Sequence, residues 1–180
     1  MNRCSWCNLN NQKYIDYHDN EWSKYTNDEH ALYELLILES FQAGLSWECI
    51  LNKRESFRKA YDNFDIDKVI KYDEKKIEEL INNKGIIRNK LKVKASIKNS
   101  IIFKEIQNEY QSFSNYLDSF EKEIIYEYDK TTNYLSDNIS NDLYKRGMRF
   151  VGSTIIYSYL QAIGRINGHE KSCYLFKKNK

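Results

Sequence analysis

The sequence predicts an all-α fold. Apolar residues recur at helical spacing through most of the chain, period-two alternation bounded by turn residues is scarce, and capping residues stand where the helical patterns begin. Asn27 or Asp28 caps a helix whose broad apolar face carries Ala31, Leu32, Leu35, Leu36 and Ile37 and ends near Gln42, before Gly44. Ser46 caps the next, with Trp47, Ile50, Leu51, Phe57 and Tyr61 on one side and Lys53, Arg54, Glu55 and Arg58 among its polar positions. Residues 42–46 are the tight loop between them. Asp65–Tyr72 reads as a short helix, and Asp73 starts another through Ile77, Leu80 and Ile81, ending near Asn83 with Gly85 in the turn. A long helix runs from about Arg88 to Glu109, followed by a short one over Ser112–Phe120. Glu121–Asn138 lacks a clear period and reads mostly as loop. Ser140–Lys145 is helical, Gly147 breaks it, and Ser153 caps a last apolar helix through Ile155, Ile156, Tyr159, Leu160 and Ile163 to Gly164.

The 180 residues, 41% hydrophobic, suffice for one domain or two small lobes sharing a core. With no linker or repeat, the simplest organisation is one unit over 1–180 whose terminal segments pack together. The longest uncharged run, Phe150–Gly164, has 15 residues including Ser, Thr and Gln, short of the roughly 20 apolar residues of a membrane span. No membrane partner is expected. The polar N-terminus, with Arg3 and two cysteines, is unlike a secretory signal, so a cytoplasmic protein is expected. In a reducing compartment Cys4, Cys7, Cys49 and Cys173 read as metal ligands or buried thiols rather than disulfides.

The net charge of +2 decides nothing, but its distribution does. Between Ile81 and Lys104 stand Lys84, Arg88, Lys90, Lys92, Lys94, Lys98 and Lys104 with no acid, leaving 21 bases against 26 acids elsewhere. A concentrated basic patch is the footprint of a phosphate binder. Lys84-Gly85-Ile86-Ile87 between two helices adds a glycine turn that lets backbone N–H groups and a helix dipole approach a phosphate, the physics of a helix-hairpin-helix DNA clamp. On these residues alone a solvated lysine face fits equally well.

Cysteine and histidine gather at the chain ends: Cys4, Cys7 and His18 near one, His169 and Cys173 near the other. On a helix, His169 and Cys173 would share a face, and four such ligands fit a closed tetrahedral zinc site. Spacing alone leaves Cys4 with Cys7 and Cys4 with His18 as competing first pairs. Trp6, Tyr14, Tyr17, Trp22 and Trp47 cluster in the first 47 residues, and Glu39 lies on an otherwise strongly apolar helix. A buried carboxylate needs donors or a cation; a positively charged heterocycle stacked among aromatics supplies both.

Met1-Asn2-Arg3-Cys4-Ser5-Trp6, Tyr17-His18-Asp19-Asn20-Glu21-Trp22 and Gln42-Ala43-Gly44-Leu45-Ser46-Trp47 together resemble the 3-methyladenine DNA glycosylase I family, of the helix-hairpin-helix glycosylase superfamily. The resemblance continues through Gly85-Ile86-Ile87-Arg88, Lys145-Arg146-Gly147 and Phe150-Val151-Gly152-Ser153-Thr154 to His169 and Cys173, almost the whole chain. It implies a monofunctional base-excision-repair enzyme that hydrolyses the N-glycosidic bond of 3-methyladenine in double-stranded alkylated DNA, releasing the free base and leaving an abasic site. It also implies a structural zinc ion on Cys4, His18, His169 and Cys173, which favours His18 over Cys7. The family's base pocket falls on Glu39, Tyr14, Tyr17, Trp22 and Trp47 with Trp6 nearby, and Gln42, Gly44 and Leu45 fall on the element that fills the gap left by the flipped nucleotide. Lys84, Gly85, Ile87 and Arg88 fall on the DNA-binding hairpin within 81–104. A monomer is expected.

Most superfamily relatives place a catalytic aspartate after the hairpin, but this chain has no acid from Ile81 to Lys104. Glu39 is the candidate catalytic carboxylate, expected to be ionised, with activating water, stabilising the sugar cation and only binding the base all open as its role. Lys84 and Lys90 suggest a Schiff-base lyase, against which the resemblance to a monofunctional family speaks. From the basic segment and ligand set alone, a noncatalytic zinc-stabilised damaged-DNA-binding module is the alternative.

Overall fold

Most helices begin where a short polar side chain accepts a backbone N–H left unpaired by the helix geometry. The computed structural model describes residues 1–177, so the last three positions of the 1–180 unit lie outside the described residues. Asn11 caps α1 (Gln12–Asn20), Asp28 caps α2 (Glu29–Gln42) and Ser46 caps α3 (Trp47–Ala60). After a 3-10 turn at Asp62–Phe64, Asp65 caps the single turn of α4 (Ile66–Val69), and Asp73 caps α5 (Glu74–Asn82). Asn89 accepts from the N–H groups of Leu91 and Lys92 to start α6 (Lys90–Tyr110). Then come α7 (Phe113–Asp118), α8 (Tyr134–Arg146) and α9 (Ser153–Ala162).

The all-α expectation holds with local corrections. Helix α1 is absent from the sequence reading, although Tyr14, Tyr17 and His18 bury one face at helical spacing. The Asp65–Tyr72 helix shrinks to α4, and α6 starts at Lys90 because Asn89, not Arg88, provides the cap. Residues 121–138 are mostly loop, as expected, but they also hold a short strand and the start of a helix. Tyr134 already begins α8 through a reciprocal capping box between Asn133 and Ser136, and β1 (Ile125–Tyr126) pairs in parallel with β2 (Ile166–Asn167). Ser153 does not cap α9: Gly152 holds that position, and the Ser153 hydroxyl turns to Ser136 and Asp137.

Helix α2 packs against α3, α6 and α9, and the buried apolar cluster runs from Cys4 to Cys173. The chain ends meet: Tyr174 N–H donates to the Asn2 carbonyl at 2.9 Å, and Ser5 donates to Glu170 through both backbone and hydroxyl. The buried face of α6 is partly polar yet satisfied. Ser96 meets Tyr61 at 2.9 Å, Ser100 meets Tyr33 at 2.6 Å, and Asn99 takes both the N–H and the carbonyl of Arg149 at 2.9 Å. On α2, buried Glu34 accepts from Arg54 and Arg58, and Arg54 reaches on to Glu21 beyond α1, fastening three elements. Removing one member of a buried ion group costs roughly 3 kcal/mol or more where it strands a buried charge, and less here, because Arg54 keeps Glu21 and Arg58 keeps Glu55. Glu34→Ala is therefore expected to lower the urea midpoint by an equivalent of about 1–2 kcal/mol at unchanged slope, whereas Glu55→Ala, whose carboxylate pairs with Arg58 from an exposed position, leaves it nearly unmoved.

Candidate active site and metal centre

Helix α1 supplies Tyr14 and Tyr17, the turn after it Trp22, α2 Glu39 and Gln42, and the first residue of α3 Trp47. With Trp6, Ser158 and Gln161 these residues line one cavity of about 160 Å³. Sites for drug-sized ligands start at roughly 300 Å³, so this one suits a single base rather than a nucleotide. Trp6 stands edge-on to Trp22 with centroids 4.7 Å apart. The Tyr17 and Trp47 centroids are 5.3 Å apart and tilted by 44°. A base sandwiched between two rings needs roughly 7 Å, twice the van der Waals spacing, so Tyr17 and Trp47 form one wall together.

Glu39 is 3% exposed, and its Oε2 meets no hydrogen-bond partner in the protein; the buried indole Nε1 of Trp47 is likewise unpartnered. Native interiors rarely leave such groups unsatisfied. Burial pushes the Glu39 carboxyl up to about 8, which favours the protonated form in the protein on its own at neutral pH; the ionised group expected of Glu39 belongs to its base-binding role. Burial also pushes Tyr14 up to about 12 and Tyr17 well above the usual phenol range, so both remain neutral beside it. A cation entering the cavity would return Glu39 to the carboxylate.

Cys4, His18, His169 and Cys173 are all buried, with one ligand atom from each lying within 4.8 Å of all the others. The Cys4 sulfur is 3.5 Å from His169 Nδ1, and the Cys173 sulfur is 3.5 Å from His18 Nε2 and 3.6 Å from His169 Nδ1. Zinc bond lengths of about 2.3 Å to sulfur and 2.0 Å to nitrogen give a tetrahedral edge of about 3.6 Å, so the donor set fits such an ion. His18 Nδ1 lies 2.7 Å from Asp19, itself gripped by Arg3, an arrangement that leaves Nε2 as the ligand atom. Cys7 stands outside the cluster, its thiol on the Tyr14 carbonyl at 3.8 Å. His169 and Cys173 meet through a turn, closed by Cys173 N–H on the Glu170 carbonyl, not on the helix that their spacing suggested. Cluster and cavity share a wall, since Trp22 is edge-on to His169 at 4.8 Å and Trp6 lies 5.3 Å from His18.

Beside the cavity mouth Gly44 adopts φ +76°, and Leu45 is 39% exposed at the loop tip. Gln42 steadies the loop by donating its amide to the Leu45 carbonyl at 2.7 Å. The hairpin joins α5 to α6 as expected, with Lys84 and Arg88 exposed and Ile87 packed against the core. Gly85 acts differently from the expectation: Asn83 Oδ1 takes its N–H at 2.8 Å, and a Cβ there would stand a tight 3.1 Å from the Ser56 and Asn83 side chains. The seven bases are not one open patch either. Lys94 pairs with Glu74, Lys104 with Asp67, and Lys92 is buried.

Residues 6–177 match the family model described as methyladenine glycosylase. The chain belongs to the methyladenine glycosylase family. Within this family it is 37% identical over 188 residues to DNA-3-methyladenine glycosylase 1 of Escherichia coli strain K12, covering all of both chains. It is 36% identical to DNA-3-methyladenine glycosylase of Haemophilus influenzae, over 95% of this chain and 96% of that one. Among solved structures, a 3-methyladenine DNA glycosylase I from Staphylococcus aureus, described for its recognition of 3-methyladenine, superposes with TM-score 0.92 at 30% identity, covering 100% of this chain and 99% of that chain. Membership of this family accounts for the order in which the aromatic, loop and chain-end motifs occur.

Ser158 and Gln161 were missed because they lie on apolar α9, far in sequence from the aromatic cluster. Gly168 lies close against this side of the site, where a Cβ would come within 2.3 Å of Gln161 Nε2, a proximity that only the fold reveals. The protonation of Glu39 has a measurable consequence. Its folded value is raised to about 8 above an unfolded value of about 4.3, so the unfolded chain releases the proton first and stability falls as pH rises between those limits. Glu39→Gln should therefore match wild type near pH 4.5 and gain on it by up to a few kcal/mol by pH 8, as read by thermal melts across that range.

Proposed function

We propose that the chain hydrolyses the N-glycosidic bond of 3-methyladenine in alkylated double-stranded DNA, releasing the free base and leaving an abasic site. The observation that carries this reading is the unpartnered, buried Glu39 carboxyl in a base-sized aromatic cavity. Methylation at N3 makes adenine cationic and a good leaving group, so no acid is needed to protonate it. Extrusion of the nucleotide costs a few kcal/mol, offset by stacking on the wall formed by Tyr17 and Trp47 and by Leu45 entering the duplex. Trp6, Tyr14 and Trp22 enclose the base, and Glu39 accepts hydrogen bonds from its amine edge, so a base that offers an acceptor there is rejected. Binding the cation ionises Glu39, its proton passing to solvent, and the carboxylate holds the amine edge. As the N-glycosidic bond breaks, its electron pair stays on the base and neutralises it, while water adds to the sugar carbon and gives up a proton to leave the abasic hydroxyl.

On the DNA side, Lys84, Gly85, Ile87 and Arg88 form the helix-hairpin-helix contact of residues 81–104, with Gln42, Gly44 and Leu45 beside the cavity. All these elements belong to one chain, and we take it as one domain working as a monomer. Cys4, His18, His169 and Cys173 would hold a structural zinc ion, which supplies bonds tying the chain ends together. Among the described residues no helix is long and apolar enough to cross a membrane, in keeping with a DNA-directed enzyme.

Incubated with methylated duplex DNA, the wild-type protein is expected to release 3-methyladenine, identified by chromatography, and Glu39→Gln to release it at least tenfold more slowly, a loss of about 1.4 kcal/mol or more of barrier lowering. Retained lesion binding with no base release by the wild type would leave a binding module. About one zinc per chain is expected by metal analysis, with Cys4→Ser and His169→Ala both losing the ion and melting earlier. A metal-free protein of equal stability would rule the ion out.

A further inference from the structure

Lys92 lies in the first turn of α6, in the basic segment, yet its side chain is buried. Its Nζ donates to the Phe41 carbonyl at 2.7 Å and to the Ala43 carbonyl, and sits 5.7 Å from the centroid of the Phe150 ring. The last carbonyls of a helix have no intrahelical donors and carry partial negative charge, so an ammonium at the end of α2 satisfies both the hydrogen bonding and the charge. Lysine is rarely buried without such partners. Seven residues on, two turns along the same face, Asn99 grips the backbone of Arg149. The helix that starts at the hairpin thus holds the carbonyl on each side of Gln42 and, two turns later, the loop after α8.

We propose that Lys92 is a positioning residue for base extrusion, holding the 42–46 loop on the hairpin helix so that hairpin contact with DNA sets the angle and depth at which Leu45 enters the duplex. This rests on reading Leu45 as the wedge. Lys92 touches neither the base nor the sugar; it acts through the loop, which without the ammonium would keep its sequence and lose its fixed seat. Two variants that disable the same device should not add, because additivity fails for residues acting as one unit.

The test compares full-length wild type, Lys92→Met, Leu45→Ala and the double variant in single-turnover release of 3-methyladenine from alkylated DNA, as duplex and as single strand. Affinity for free 3-methyladenine is followed by tryptophan fluorescence. Each single variant is expected to slow release from duplex about tenfold, ~1.4 kcal/mol of the extrusion cost. The double variant should be no more than about twofold slower than either. Release from the single strand, where no duplex has to be opened, and affinity for the free base should stay within about twofold of wild type. Multiplying effects in the double variant, wild-type duplex rates for Lys92→Met, or parallel losses in free-base affinity and single-strand release would overturn the proposal. If Leu45→Ala were wild-type on duplex, the wedge reading would fail and this inference with it; a slow Leu45→Ala beside a normal Lys92→Met would sink the Lys92 role alone. Should Lys92→Met not fold, Lys92→Gln, which keeps an N–H donor for one carbonyl, carries the same comparison.

Discussion

The site depends on burying one carboxyl that the protein itself does not satisfy. Glu39 stands in the apolar face of α2 with Oε2 unpaired, and its burial pushes it up to about 8. A fold tolerates such a group only if the elements around it are held by other means. Here they are: Glu34 one and a half turns earlier binds Arg54 and Arg58, and through Arg54 ties α2 to α3 and to the end of α1. One acid of the same helix supplies the fastening that lets the other remain unsatisfied. The arrangement sacrifices stability for an unsatisfied carboxyl in the cavity, the group proposed to meet a cationic base.

The Cys4, His18, His169 and Cys173 cluster supports the same cavity from outside. Its two histidines contact Trp6 and Trp22, so whatever fixes the imidazoles also fixes two aromatic walls. The chain ends, which carry none of the proposed DNA contacts, thereby touch the proposed base pocket. On the opposite side, α6 joins the hairpin to the mouth of the cavity through Lys92. The proposed DNA grip, wedge and base pocket are therefore mechanically continuous, with α2 and α6 as the shared frame.

Much of this was legible in the sequence. Ser46, Asp73 and Asp28 announced their helices because a polar cap preceded an apolar periodic run. The anomalous Glu39 and the early aromatics pointed to one another before any contact was known. Three kinds of feature were hidden. The start of helix α8 was obscured because its capping box uses Asn133 and Ser136 instead of a Ser/Thr with Glu/Gln, so only its second half, from Ser140, was legible. The two-residue β1 and β2 pairing is too short to leave a period. The different fates of the lysines in 81–104 depend on tertiary partners: Lys92 goes inward to carbonyls of α2 and its loop, while Lys84 stays exposed, and composition treats them alike.

Infrared difference spectroscopy at neutral pH tests the central claim most directly, because a protonated carboxyl has a carbonyl stretch that a carboxylate lacks. The account predicts a protonated-carboxyl band in the wild-type protein, missing in Glu39→Gln, that disappears when an uncleavable cationic lesion analogue, the 3,9-dimethyladeninium ion, is bound, since the free base released by the reaction is itself neutral. A wild-type spectrum without that band, or a Glu39 band that persists unchanged in the complex, would contradict it.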